Sequence, residues 1–306
     1  MKTIVITGGT SGLGQVLARA YLERGERVVV VSRDAGKGEE YLRRAEQDGH
    51  GGRAFFYAAD LSLVSENQRV VAEIKSAFPV VDALVLCARF FRSYRRVTSE
   101  GIEHHLALFS LSRYLAGPGN HMARIHWDDL ELERGYDGWE AMFQGGRLND
   151  LLGVHFDTEH QERGIRYVLL FPGNIAGRFV GEFDPVMTVR AEAMRRAGTP
   201  IEGGVRLVSA LIDSPPSETL SAFQERRPIS VRGGTFDPDD AKRLHGITQG
   251  LIQRAGQGAL QSLPALPTER EALIVPRSEG SFHAHSIRLH HPRHHTGCGR
   301  RGGRYR

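Results

Sequence analysis

Residues Thr3–Gly14, with the sequence TIVITGGTSGLG, decide the fold of this chain. The β-branched run at the start predicts a buried parallel strand, and the glycines after it predict a tight turn into a helix. Glycine is needed at Gly8, Gly12 and Gly14 because a side chain there would hold the backbone away from a pyrophosphate group. A helix that begins near Ser11 would direct its first N–H groups at the same anion. The stretch predicts a nucleotide-binding turn, and an ordinary glycine-rich turn is the alternative.

The surrounding residues favour nucleotide binding over an ordinary turn. Apolar residues at helical spacing follow from Val16 to Tyr21, and Gly25 stands where that helix should end. The next hydrophobic run, Glu26–Ser32, predicts a second buried strand and completes a βαβ unit. The residues of the turn that we expect to bind the cofactor are Gly8, Thr10, Ser11, Gly12, Leu13 and Gly14.

Arg33 follows the second strand at the position that selects between nicotinamide cofactors. An acidic residue there would bind the ribose hydroxyls of NAD, whereas a guanidinium group suits the 2′-phosphate of NADP by charge and geometry. Asp34 lies one residue too late for the acidic role and is expected to cap the helix that runs to about Gln47. The sequence therefore predicts NADP(H), and a solvated arginine at a strand end is the alternative.

The spacing Thr-Gly-x-x-x-Gly-x-Gly of Thr7–Gly14 resembles the short-chain dehydrogenase/reductase family. The resemblance implies a doubly wound, mostly parallel α/β sheet of the Rossmann type, formed as one domain by residues 1–275. An aspartate of the family that meets the adenine ring corresponds here to Asp60. The cofactor-binding residues that the resemblance adds are Asp60, Leu61, Pro172 and Gly173.

The catalytic positions depart from the pattern of that family. Phe143 stands where the family has the tyrosine of Tyr-x-x-x-Lys, and Arg147 stands at the lysine. A phenol donates a proton to the alkoxide that forms during carbonyl reduction, whereas a benzene ring cannot. Arg147 keeps the positive charge and is our candidate catalytic residue, binding ribose hydroxyls or an oxyanion. Phe109 and Gly177 replace an asparagine and a threonine of the family, and Tyr136 is either a substitute acid or a surface tyrosine.

One central strand of the expected sheet has no counterpart in the sequence. A helix is predicted over Thr98–Leu115, beginning with the capping pattern Ser99-Glu100, but the chain then enters Ala-Gly-Pro-Gly-Asn at 116–120. A doubly wound fold requires a hydrophobic strand between this helix and the next, which is predicted over Trp139–Arg163. We therefore expect either a missing central strand or a helix that is partly replaced by strand.

The residues after the fourth predicted strand, Val81–Leu86, form an aromatic and cationic loop. Phe90, Phe91 and Tyr94 alternate with arginines there, which suits a flat aromatic ketone as substrate or, equally, a solvated loop. Cys87, just before this loop, is expected to be a small buried thiol rather than a nucleophile. Within the family, the chain resembles ketoreductases that tailor anthracycline-like aromatic polyketides in antibiotic biosynthesis.

Composition restricts the partners. Residues 276–306 carry seven arginines and six histidines against one glutamate, which leaves residues 1–275 mildly acidic. We expect this basic tail to be flexible, with a nucleic-acid or metal-binding tract as the alternative. Cys87 and Cys298 are the chain's two cysteines, so neither a disulfide framework nor a zinc cluster is expected. No apolar run is long enough to span a bilayer, which favours a cytoplasmic protein.

These observations lead to two hypotheses on function. The first is an NADPH-dependent ketoreductase that reduces a ketone, such as a side-chain ketone, of an anthracycline-like polyketide. Its proton would come from a substrate phenol or from water, since Phe143 has no hydroxyl. The second is an NADP-binding protein without catalytic activity. The family often dimerises, which implies a homodimer, although no interface is specified by the sequence.

Overall fold

The computed structural model describes residues 1–112, 118–177 and 179–261, and only the backbone of residues 109–112 and 257–261. The strands in this part of the chain are β1 (Thr3–Thr7), β2 (Arg27–Ser32), β3 (Ala54–Ala58), β4 (Ala83–Leu86), β5 (Phe91–Arg92), β6 (Tyr167–Phe171), β7 (Gly181–Glu182), β8 (Leu220–Gln224) and β9 (Arg227–Ile229). The α-helices are α1 (Gly12–Glu23), α2 (Ala35–Gln47), α3 (Val64–Ala77), α4 (His104–Ser112), α5 (Gly138–His160), α6 (Pro185–Arg196), α7 (Ile201–Asp213) and α8 (Pro238–Gln261).

A parallel sheet in the order β3-β2-β1-β4 positions the predicted nucleotide-binding turn. Ile4 and Ile6 of β1 pack on one face of this sheet with Leu17 of α1. Val5 packs on the opposite face in a cluster that includes Ile74 of α3. Because helices cover both faces, the strand reads as a continuous hydrophobic run and not as an alternating one. The prediction of a doubly wound, mostly parallel α/β fold is confirmed.

The sheet is interrupted where the missing strand was expected. β6 pairs in parallel with β8, and β9 adds an antiparallel edge, so these strands form a second sheet that is separate from the first. Among the described residues, no strand lies between α4 and α5. β4 consequently ends the first sheet, and its Leu84 is 59% exposed. β4, which would be a central strand in a complete doubly wound sheet, is therefore an edge strand of the sheet that the structure describes.

The helix predicted to begin at Ser99-Glu100 begins later, at His104. Gly101 has a φ of 76°, which ends any helical path through this turn. The Glu100 carboxylate instead accepts hydrogen bonds from the backbone N–H groups of Val64 and Ser65, the latter at 3.0 Å. The predicted capping residue therefore caps α3, a helix 36 residues earlier in the chain, whose own N-cap residue supplies no side-chain bond.

Burial on α3 and the pairing of the last strand complete the fold. Val70 and Ile74 of α3 are buried, whereas Val71 is 54% exposed. β9 is the last strand of the described chain and pairs antiparallel with β8. Pro228 lacks a backbone N–H and therefore fits the edge position that β9 occupies.

The predicted basic tail at 276–306 lies outside the described residues, as does Cys298. Within the described ranges, no helix combines the length and the apolar character that a bilayer crossing requires.

Candidate cofactor and active site

The glycine turn between β1 and α1 has the geometry of an anion-binding cradle. Gly8 and Gly12 adopt φ values of 68° and 55°, in the left-handed region that side chains disfavour. A Cβ atom on Gly14 would lie 2.7 Å from the carbonyl oxygen of Gly8, so the turn closes onto the first helical turn of α1. A Cβ atom on Gly12 would meet no atom within 4 Å, since Gly12 faces open space. This space, at the N-terminus of a helix, fits a pyrophosphate group.

Side-chain hydroxyl groups hold the strand ends around this turn. The Oγ1 atom of Thr7 accepts hydrogen bonds from the backbone N–H groups of Cys87 and Ala88, at 3.1 and 3.2 Å. Thr10 and Ser32 hydroxyl groups lie 3.0 Å apart and join the turn to the end of β2. Thr7 thereby ties the end of β1 to the residues that follow β4.

A cavity of about 1180 Å³ runs along the carboxyl ends of the strands and between β4 and β6. This location, at the point where the strand order changes, is where doubly wound sheets bind ligands. The predicted cofactor residues that line it are Gly8, Thr10, Ser11, Gly12, Leu13, Gly14, Arg33, Asp60, Leu61, Pro172 and Gly173. Lining residues that the sequence analysis did not select include Lys37, His104 and Trp139. The volume of the cavity and its glycine cradle fit a dinucleotide.

Arg33 and Asp60 lie together at one end of this cavity. Both also line a second pocket of about 530 Å³, between the ends of β2 and β3. The Asp60 carboxylate accepts hydrogen bonds from the backbone N–H and the hydroxyl group of Ser62, at 3.0 and 2.7 Å. Asp34 caps α2 as predicted, accepting a bond from the backbone N–H of Lys37. Arg33 directly follows β2, and within the described chain it carries no ion pair.

At the catalytic positions, the structure separates Phe143 from Arg147. Phe143 lines the cavity and stacks on Trp139, with ring centroids 5.6 Å apart. Arg147 does not line the cavity. Its guanidinium group donates to the carbonyl oxygens of Ala123 and Thr235, at 3.2 and 3.4 Å. The expected role of Arg147 in binding ribose or an oxyanion is therefore not supported, because its donors are directed at the backbone.

Tyr136 is neither a substitute acid in the cavity nor a surface tyrosine. Its hydroxyl group hydrogen bonds to the Nδ1 atom of the fully buried His105 and to Glu103, the latter at 3.3 Å. Burial, together with the negative charge of Glu103, raises the pKa of the Tyr136 phenol. Tyr136 does not line the cavity, so this network organises the start of α4.

His104 is the polar side chain that sequence reasoning missed. It is 5% exposed, it lines the cavity, and its Nδ1 atom is buried without a hydrogen-bond partner. Burial and the neighbouring charge of Arg92 lower the pKa of His104 to about 4, so the imidazole is neutral near pH 7. The indole N–H of Trp139 is likewise buried without a partner. Helical spacing would have placed His104 on a buried face but could not have distinguished a core position from a cavity wall.

The aromatic loop after β4 is partly buried and partly exposed. Phe91 and Arg92 form β5, which pairs with β7, and both are buried. Phe90 lines the cavity, whereas Tyr94 is 49% exposed. Cys87 is partly exposed and lines the cavity, and desolvation raises the pKa of its thiol to about 12, which disfavours the reactive thiolate. Phe109 lies where only the backbone is described, so its role stays a prediction.

Comparison with known proteins agrees with this geometry. A family model for short chain dehydrogenases matches residues 2–106. Retinol dehydrogenase 14 of Mus musculus is 30% identical over 289 residues, covering 82% of this chain and 86% of that protein. An uncharacterized oxidoreductase, YKL107W of Saccharomyces cerevisiae, is 34% identical over 113 residues, which cover 37% of this chain and 33% of that protein.

Solved structures share the fold. An uncharacterized protein from Mycobacterium Paratuberculosis superimposes with a TM-score of 0.61 at 21% identity, covering 83% of this chain and 94% of the other. YwfH, an NADPH-dependent reductase involved in bacilysin biosynthesis, gives a TM-score of 0.52 at 16% identity, covering 76% of this chain and 98% of the other.

Proposed function

The chain belongs to the short-chain dehydrogenase/reductase family of oxidoreductases, and from this premise we propose that it is an NADPH-dependent reductase of apolar aromatic ketones. The observation that carries the proposal is the continuous cavity from the glycine cradle and Arg33 to an aromatic wall. Bound NADPH would supply the hydride, and the residues of this chain would hold and orient both ligands.

The cradle and the charges around it support NADPH in preference to NADH. Gly12 leaves room for the pyrophosphate, and Arg33 places an unpaired guanidinium group at the end of β2, beside the expected position of the adenosine ribose. Lys37 lines the same end of the cavity and adds a second positive charge, although its ammonium group pairs with Asp34 at 3.1 Å. YwfH, with which this chain shares its fold, is itself described as NADPH dependent.

The aromatic wall of the cavity supports an aromatic substrate. Phe143, Trp139 and Phe179 line it, and aromatic walls of this kind favour flat apolar rings. Two nitrogen atoms of residues in this wall, Nδ1 of His104 and Nε1 of Trp139, are buried and have no hydrogen-bond partner among the described residues. A ketone oxygen would accept a hydrogen bond from such donors. The proteins compared above provide no support for an anthracycline in particular, so the proposal is limited to the class of aromatic ketone.

The reaction adds a hydride to the carbonyl carbon and a proton to its oxygen, and Phe143 cannot donate that proton. The proton would therefore come from water or from a phenol of the substrate. The Phe143→Tyr substitution restores a phenol at this position of the cavity and tests the assignment. With phenanthrenequinone as the probe, we expect it to increase NADPH consumption by roughly tenfold or more.

Phe156→Tyr is the matched control, because Phe156 also lines the cavity and packs against Tyr167 of β6, with ring centroids 5.1 Å apart. It adds the same hydroxyl group away from Phe143 and should not increase the rate. Equal rates for both variants would contradict the placement of the carbonyl near Phe143. NADPH binding without any turnover, in the wild type and in Phe143→Tyr, would instead support a cofactor-binding protein without catalytic activity.

A further inference from the structure

Arg33 is held by an aromatic ring that comes from a different part of the chain. Its guanidinium carbon lies 4.2 Å from the centroid of the Phe90 ring. Among the described residues, Arg33 forms no ion pair and no hydrogen bond, so this contact with the ring is what orients it. The guanidinium group keeps its N–H donors in its own plane, which leaves their outer edge available to an anion.

The Phe90 ring itself contacts two further side chains. Arg92 lies 4.8 Å from the Phe90 centroid, and the His104 ring packs edge-on at 5.9 Å. Arg92 is 4% exposed, forms an ion pair with Glu182 of β7, and donates its backbone N–H to the Nε2 atom of His105 at 3.0 Å. A buried arginine that forms an ion pair with Glu182 therefore contacts the ring that supports Arg33.

This arrangement matters because a free arginine side chain loses conformational entropy when it binds. Arginine and lysine side chains carry about 2 kcal/mol of rotamer entropy, part of which is lost when the group is immobilised on a ligand. A stacked guanidinium group has lost some of that freedom before the ligand arrives, so less is lost on binding. The half-buried Phe90 also lowers the local dielectric constant, which strengthens the attraction between guanidinium and phosphate.

We propose that Phe90 is a positioning residue for cofactor specificity, which holds Arg33 in the orientation that binds the 2′-phosphate of NADPH. The inference rests on the proposed function, because it assumes that NADPH binds in this cavity. Phe90 acts through Arg33 and does not itself have to contact the phosphate. Its effect should therefore appear in the preference for NADPH over NADH, since only NADPH has the 2′-phosphate.

The test is fluorescence titration of NADPH and NADH with wild type, Phe90→Leu, Phe90→Tyr and Arg33→Ala. Phe90→Leu removes the aromatic face at similar volume and should lower the ratio of NADPH to NADH affinity about 3- to 10-fold. Phe90→Tyr keeps the face and should retain the wild-type ratio. In the Arg33→Ala background, Phe90→Leu should change the ratio no further, because the two residues act as one unit.

The outcomes separate this inference from the proposed function. If the wild type binds NADH as well as NADPH, or neither, the assignment of NADPH fails and the role of Phe90 fails with it. If the wild type prefers NADPH and Phe90→Leu leaves the ratio unchanged, the inference alone is overturned. An increase in affinity for both nucleotides would also overturn it, since it would mean that Phe90 competes with adenine for the face of Arg33. Thermal unfolding of each variant verifies that it is folded.

Discussion

Two alanine substitutions in the glycine turn distinguish the fold from the cofactor site. Gly8 and Gly12 both have positive φ values, so an alanine at either position carries the left-handed penalty of about 1–2 kcal/mol. They differ in their surroundings, because a Cβ atom on Gly8 would lie 2.8 Å from the backbone N and Cα atoms of Ala88. Backbone cannot move aside as a flexible side chain can, and such overpacking costs about 1–3 kcal/mol more. Gly12 has no atom within 4 Å of its Cβ position.

Urea denaturation and NADPH fluorescence titration measure the two effects separately. We expect Gly8→Ala to lower the free energy of unfolding by about 2–5 kcal/mol and Gly12→Ala by about 1–2 kcal/mol. Gly12→Ala places a methyl group in the open cradle and should weaken NADPH binding by roughly tenfold or more, since the pyrophosphate loses its close approach. Equal destabilisation by both variants would refute the contact between Gly8 and Ala88. Wild-type NADPH affinity in Gly12→Ala would refute a pyrophosphate at this turn.

Three further predictions address the stability and the chemistry of the chain. Glu100→Ala removes the side-chain cap of α3 and should lower the free energy of unfolding by about 1 kcal/mol in urea denaturation, while no effect would contradict the cap. In hydrogen exchange, peptides that cover β4 should exchange before those that cover β1 and β2, because β4 is an edge; uniform protection would mean that its outer side is covered. Cys87, with its pKa raised to about 12, should stay protonated between pH 6 and 9 and resist iodoacetamide until the protein unfolds; fast labelling of folded protein would contradict the raised pKa.

Local patterns in the sequence predicted the cofactor half of the fold. The turn from Thr7 to Gly14, the two flanking strands and the Asp34 cap all depend on residues within a few positions of one another. Such short-range effects of glycine, β-branched residues and capping groups are readable from one sequence. The sequence also indicated that a strand is lacking between α4 and α5, as the described residues show, since no hydrophobic run of adequate length follows α4.

Contacts between distant residues could not be predicted in the same way. Ser99-Glu100 has the pattern of a helix start, but Glu100 caps a helix 36 residues away. His104 and Arg147 each lie on a helix with a correctly predicted general location, yet one lines the cavity and the other does not. The direction of a side chain depends on the helix's rotation against its neighbours, which tertiary packing determines. The short strand β8 was not predicted for a similar reason, because β6, the strand with which it pairs, lies about fifty residues earlier in the chain.

The segment between α4 and α5, where the described chain has no strand, contacts Arg147 and its neighbours on α5. The carbonyl group of Ala123 in that segment accepts from Arg147, and the backbone N–H of Gly119 donates to Asp150 at 3.0 Å. Arg147 and Asp150 lie about one helical turn apart on α5. Their hydrogen bonds therefore hold the segment against the helix on which the family has its catalytic residues. Arginine carries its donors in one planar group, and here two of them bond the carbonyl oxygens of Ala123 and Thr235. The positive charge on α5 thus supports the segment that follows α4. Since Phe143 cannot donate a proton, any carbonyl reduction must take its proton from water or from the substrate.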